Sequence, residues 1–461
     1  IFTCLFLTLN AQNHSDFSCL LANEPISFPP GPNSTYGYEF TPKDTMRLLV
    51  IYAGFSNVSE SGNVINYDLL NNNDDWPRFQ PGTTPALPEF SKDDQLFYDN
   101  YIDIEENFNW NKLPNLSNLY WEMSAHADKP FKVIAEHFPE RVDVFADSST
   151  IHTNSSQGIF NTFNERVFDT IQARINRNES LYLNFNWNKF DNRQNLPLES
   201  FDNSLTSNDG YIDYVIIIWR YERYKDPLPL PDSTLGKKTS LTAYAGIGGT
   251  YSFVTGGGDT LAVRHGQTVA RGVKNADGMR RTIFHEIAHD MYRCPHYGGQ
   301  NGVVHHKYHT QFLWGAMVTE ARPWDAVNAW ERWYVGWIDI DQNKDLRNAN
   351  DNGLYTLDDF ITTGDVIRIE IPNTNGQQHL WIENHQGYSI FDTRQGFDDS
   401  HGVPLPFPDM GVTMYIEDTR YSRGDIADPS FRANGMKIIH PGGNRDYFYD
   451  SLPKLLSLIH I

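Results

Sequence analysis

Apolar positions fall into an alternation of strand-length and helix-length patterns along the first two thirds of the chain. Residues 47–53 are a nearly unbroken apolar run bounded by polar residues, the mark of a strand covered on both faces. Residues 118–124 read as a short helix and 132–136 as the next strand. In 165–177, Val167, Ile171 and Ile175 recur one turn apart and predict a helix. Residues 209–219 are a turn feeding the most apolar strand of the chain, rich in β-branched side chains. The stretch 241–258, rich in Gly, Thr and Tyr, is expected to supply an edge strand beside a cleft. Ile283, Phe284, Ile287, Ala288 and Met291 then share one helical face, with Asp277 as candidate N-cap. Residues 324–337 read as an aromatic helix closing near Gly336. From Leu354 the period changes: 366–371, 379–383 and 412–416 alternate like strands separated by turns. The expected class is α/β: a twisted mixed sheet packed on helices, then a β-rich domain.

Composition narrows the function. The chain has 461 residues, enough for more than one domain. Asp and Glu number 58 against 37 Lys and Arg, a net charge of −21 that repels nucleic acid. Residues 1–9 are apolar and are followed by Asn10-Ala11-Gln12, which reads as part of a secretory signal peptide over 1–12. That run is too short to span a bilayer, and no other stretch is apolar and long enough, so no membrane span is expected. The three cysteines are Cys4, Cys19 and Cys294. Cys4 falls in the signal, so one disulfide at most, Cys19 to Cys294, is open to the rest of the chain.

The chemistry concentrates in His285-Glu286-x-x-His289 on the predicted helix. Positions four apart stack one turn above the other, so both imidazoles can address one Zn²⁺ ion. Glu286 adjoins the first ligand, where a general base is needed for metal-assisted hydrolysis through a metal-bound water. The bland alternative is a buried helix that happens to carry two histidines. Cys294, His309 and Glu320 are further candidate ligands. Carboxylates at Asp339, Asp341 and Asp345 with Asn343, and the run 71–75, could bind Ca²⁺, although Lys344 stands where an EF-hand loop needs Gly.

Several blocks, in this order, resemble the immune inhibitor A family of secreted bacterial metallopeptidases. They are the apolar strand at 48–51, Tyr120-Trp-Glu-Met-Ser124, Asp209-Gly-Tyr-Ile-Asp213, His285-Glu-x-x-His289-Asp290 with Pro295 after it, the helix ending in Gly336-Trp337, and Trp381-Ile-Glu-Asn384. The blocks are scattered over roughly 45–420, and only the zinc motif is specific by itself. Gly315-Ala-Met317 is similar to the Met-turn of the metzincins, which implies Met317 beneath the metal. The family's third ligand follows a proline, which implies His296 here, with His309 and Glu320 left as competitors. Two positions depart from the family: Tyr292 stands where a glycine turns the chain, and His296 lies one residue further on than the common metzincin spacing.

The resemblance implies a zincin-like metallopeptidase domain over 41–340, after an extended leading segment at 13–40 and before a β-rich domain at 341–451. The tail, 452–461, is expected to contribute nothing to the fold. The expected function is a secreted, extracellular zinc endopeptidase acting on a protein or peptide substrate. Glu286 would be catalytic and His285, His289 and His296 would hold one zinc ion. The alternative is a secreted adhesin or binding protein on a peptidase scaffold that has lost turnover.

Overall fold

The computed structural model describes residues 40–55, 58–60, 63–65, 87, 96–98, 115–144, 156–193, 208–219, 247–270, 276–292, 326–340, 355–371, 378–393, 397–398, 403–404, 411–418 and 436–438. In chain order these form β1 (Asp44–Phe55), β2 (Val58–Glu60), β3 (Asn63–Ile65), α1 (Leu116–Ser124), β4 (Phe131–His137) and β5 (Val142–Val144). Helices α2 (Ser156–Asn176) and α3 (Ser180–Asn184) and the 3₁₀ turn Trp187–Phe190 follow. Then come β6 (Tyr211–Ile212), β7 (Tyr214–Trp219), β8 (Tyr251–Val254), β9 (Thr260–Val263), β10 (Gly266–Ala270) and α4 (Ala276–Tyr292). The remaining elements are α5 (Ala329–Tyr334), α6 (Phe360–Thr363), β11 (Val366–Glu370), β12 (Gln378–His385), α7 (Ile390–Thr393), β13 (Phe397–Asp398), β14 (Val403–Pro404), β15 (Gly411–Asp418) and β16 (Met436–Ile438).

Side chains of β1 and β7 alternate between two cores. Met46, Leu48, Val50 and Tyr52 of β1, with Tyr214, Ile216 and Ile218 of β7, meet α1, α4 and α5 on one face. Leu49, Ile51 and Ala53, with Val215, Ile217 and Trp219, meet α2 and the aromatic turn around Trp187 on the other. The two-residue period of a strand forces this division. The five-stranded central sheet has the order β10-β7-β1-β4, with β5 also on β1. Each of these ladders is parallel, with Leu48 opposite Tyr214 and Asp44 opposite Phe131. The mixed sheet expected from sequence is thus a parallel one in these strands. Long crossovers return the chain to the same end before each new strand.

The stretch 241–258, described from 247, does supply an edge strand, but not beside α4. Its β8 part pairs antiparallel with β9 in a separate three-stranded sheet, and the strand beside α4 is β10. The reason is packing. Tyr251 and Phe253 of β8 stack on Phe168 of α2, and Phe253 meets Trp187 edge-on, which draws the hairpin to the face away from α4.

Helix α5 is shorter than the 324–337 pattern predicts because its ends are locally specified. Asn328 accepts from the Glu331 backbone N–H at 2.9 Å and Glu331 accepts from that of Asn328 at 3.2 Å, a reciprocal cap. At the other end Gly336 takes a left-handed φ of 73°, and the N–H groups of Gly336 and Trp337 close on the carbonyls of Trp333 and Arg332.

The antiparallel sheet β11-β12-β15-β16 packs onto α5, and its Trp381 and Tyr415 join the core that contains β1 and α4. Alternate residues of β12 point inward, and three of these are polar: His379, Glu383 and His385. Their partners are buried too. Glu383 accepts from the Ala329 N–H at the head of α5 (2.7 Å) and from the Tyr415 hydroxyl. His385 bridges Glu383 (2.9 Å) and Asp392 (2.7 Å). Burial alone would lower the His385 pKa, but the Asp392 and Glu383 carboxylates outweigh it and hold it up at about 10.

The folded pKa of His385 lies above its ordinary value of 6.5. Its proton therefore stabilises the fold fully below about pH 6.5, progressively less as pH rises, and not at all above about 10. Urea unfolding of the parent should show this group's share of the slope, at most about 1.4 kcal/mol per pH unit. His385→Gln should remove that share and cost about 3–5 kcal/mol at neutral pH by unpairing two buried carboxylates. A variant with the parent's pH slope would place the titrating group elsewhere.

Candidate metal centre

Helix α4 is held to the sheet by apolar contacts and by directional ties, among them those of Gln267 and Tyr214. Met279, Ile283, Phe284, Ile287, Ala288 and Met291 lie in the first core. Phe284 packs 5.8 Å from the Tyr120 ring, which is itself set edge-on to Phe131 and Trp337. The side chain of Gln267, on β10, donates to the Ile283 carbonyl at 3.4 Å. The Tyr214 hydroxyl, at the head of β7, donates to Asp290 Oδ2.

The structure places His285, Glu286 and His289 on this one uninterrupted helix. His285 is half-buried and Glu286 is 1% exposed. The side chain of His289 lies outside the described residues, as do His296, His309, Met317, Glu320, Cys19 and Cys294. Among the described residues no three His, Cys, Asp or Glu side chains converge as a metal cluster. On an α-helix the 285 and 289 positions stand one turn apart on the same side, and 286 lies about 100° around from 285. Two imidazoles at that spacing suit zinc, and further donors must come from elsewhere in the chain. Asp277, expected to cap α4, is the second residue of the helix rather than the residue before it. Tyr292 is the last residue of α4. Of the calcium candidates, Asp339 is exposed and the rest lie outside the described residues.

The electrostatics beneath the helix are set by two buried phenols. Burial first, then the neighbouring Asp290 carboxylate, raises the pKa values of Tyr214 and Tyr120 well above that of a free tyrosine. Tyr214 also feels Glu286. Both hydroxyls therefore keep their protons at neutral pH, and Tyr214 can only be the donor to Asp290. The Tyr214–Asp290 pair was not anticipated from sequence. The available signal was a tyrosine at a core position of an otherwise aliphatic strand, whose hydroxyl must find a partner when buried.

No protein-family model matches the chain, and no curated protein sequence matches it.

If the helix carries a zinc site, excess zinc should raise the thermal midpoint of the parent by mass action, and removal with a chelator should reverse the rise. His285→Ala and His289→Ala should each abolish the rise. His296→Ala should weaken zinc binding, while His309→Ala and Glu320→Ala should stay near the parent. Loss of zinc in the Glu320 variant with retention in the His296 variant would move the third ligand to Glu320.

Proposed function

We propose that the chain is a secreted zinc-dependent endopeptidase of zincin-like fold, hydrolysing protein or peptide substrates. The observation that carries this reading is the placement of His285, Glu286 and His289 on a single helix anchored to the central sheet, with Glu286 buried and His285 partly open. His285 and His289 would hold the metal with His296. When bound, zinc supplies a Lewis acid that polarises the scissile carbonyl and acidifies water. Glu286 takes a proton from the attacking water and passes it to the leaving amine. Secretion belongs to the same reading and rests on the apolar segment at 1–9.

One observation favours the second reading, an adhesin on a peptidase scaffold. A tyrosine, Tyr292, ends α4 at the position where the family the chain resembles has the glycine of its sharp turn, and a tyrosine is less able to turn the chain.

Glu286→Gln separates the two. It preserves shape and hydrogen bonding but cannot accept the proton. Casein hydrolysis should fall by about 100-fold or more, with zinc content and melting midpoint close to those of the parent. A Gln variant that still cleaves would remove Glu286 from the chemistry. A parent that binds zinc and protein without cleaving would establish the adhesin.

A further inference from the structure

We infer that Tyr214 and Asp290 are a positioning pair that sets the rotation of α4, and with it the direction in which His285 and Glu286 face. The inference rests on the metallopeptidase reading and adds residues to it. Asp290 follows His289 directly and lies four residues after Glu286, on the same flank of the helix one turn on. Tyr214 is a fixed point. Its side chain is fully buried, its backbone is paired with Leu48 of β1, and its ring sits edge-on to Phe40 at 5.5 Å. Apolar contacts hold α4 against the sheet within a narrow range of rotations but do not by themselves select one angle in it, because the hydrophobic effect is not directional. The hydroxyl-to-carboxylate bond is directional and charge-assisted. It acts on the turn that carries His289, whereas the Gln267 bond acts earlier, at Ile283.

Stability alone argues against a carboxylate at this place. Asp290 lies in the last turn of α4, where the helix dipole disfavours negative charge. It also adds a second acid one turn from buried Glu286. A residue serving only to attach the helix would do so at lower cost as an amide or a hydroxyl.

The test measures zinc affinity by competition with a chromogenic chelator, beside kinetics and melting. Tyr214→Phe keeps the ring and removes the donor. It should weaken zinc binding by about 10-fold and lower kcat while KM changes little. Asp290→Asn keeps the shape and an acceptor oxygen but loses the charge-assisted bond, so its zinc affinity should fall between that of the parent and that of Asp290→Ala, which should match Tyr214→Phe, as expected of an outer partner of a metal ligand. Ile171→Val, in the opposite layer, supplies a mild core destabilisation that should leave zinc affinity unchanged. If Tyr214→Phe and Asp290→Ala bind zinc as Ile171→Val does, the pair is only a strut and the inference is overturned while the metallopeptidase reading stands. A parent that binds no zinc overturns both.

Discussion

Strand β7 has no polar face. From Tyr214 to Trp219 every side chain is buried, and each of the four aliphatic ones contributes on the order of 1.5–3 kcal/mol only if both sides of the sheet are covered. That requirement organises the structure. It demands neighbouring strands on both edges, which β1 and β10 supply, and a layer of helices or aromatic turns on each face. It also explains why a helix carrying Arg280, Glu286 and two histidines can lie in a core at all. Helix α4 has a modest apolar face of its own. The sheet, Tyr120 and Trp337 surround it, and the polar groups it brings inside must then be met by polar groups already fixed there.

The second dependence is the polar joint between α5 and the antiparallel sheet. Glu383, His385, Asp392, Arg368 and Glu417 are all buried, and two tryptophan N–H groups, of Trp330 and Trp381, end on Glu417. Such a network is a poor source of net stability, because desolvating each charge costs several kcal/mol. What it supplies is direction. Glu383 accepts the first free N–H of α5, so the sheet can dock on that helix end in one orientation. Glu122 of α1 belongs to the same region. Burial raises its pKa to about 8 even though Ser389 donates to it and Arg332 lies near. The Trp-Glu-Arg-Trp, Tyr-Trp-Glu-Met and Trp-Ile-Glu-Asn stretches, far apart in the chain, thus meet at one joint between 116–124, 329–334 and 378–385.

Periodicity made the strands β1, β4, β7, β11, β12 and β15 and the helices α1, α2 and α4 legible, because each buries a face whose spacing is written in its apolar residues. The strand direction was not legible. Parallel and antiparallel ladders ask for similar side chains, and the difference lies in the crossovers. That β8 is an edge strand was legible, but its sheet was not, because Tyr251 and Phe253 say that one face is buried but not against which layer. The length of α5 was overestimated because its ends are set by the Asn328–Glu331 cap and the left-handed Gly336, not by where its aromatic residues stop. Of the candidate site, the 285–286–289 spacing is a local property and could be read directly. The Tyr214 contact with Asp290 spans 76 positions and leaves no periodic trace.

That difference bears on what a metal-binding helix needs beyond its motif. Four-residue spacing places two imidazoles on a common side of a helix, but it leaves open which way that side faces. A rotation of one residue is about 100°, enough to turn the same side from a cleft into the core. Here the choice is made by residues other than the motif's histidines and glutamate. Phe284, immediately before His285, and Ile287, immediately after Glu286, are committed to the apolar layer and exclude the orientations that would expose them. They allow His285 its half-open position and leave a narrow range of angles. Within that range a hydrogen bond from a rigid strand to the last turn can select one angle, which dispersion forces between rounded side chains cannot do. The buried phenol is suited to this because it stays protonated beside a carboxylate, and so remains a donor across the pH range in which imidazole is neutral and able to bind zinc.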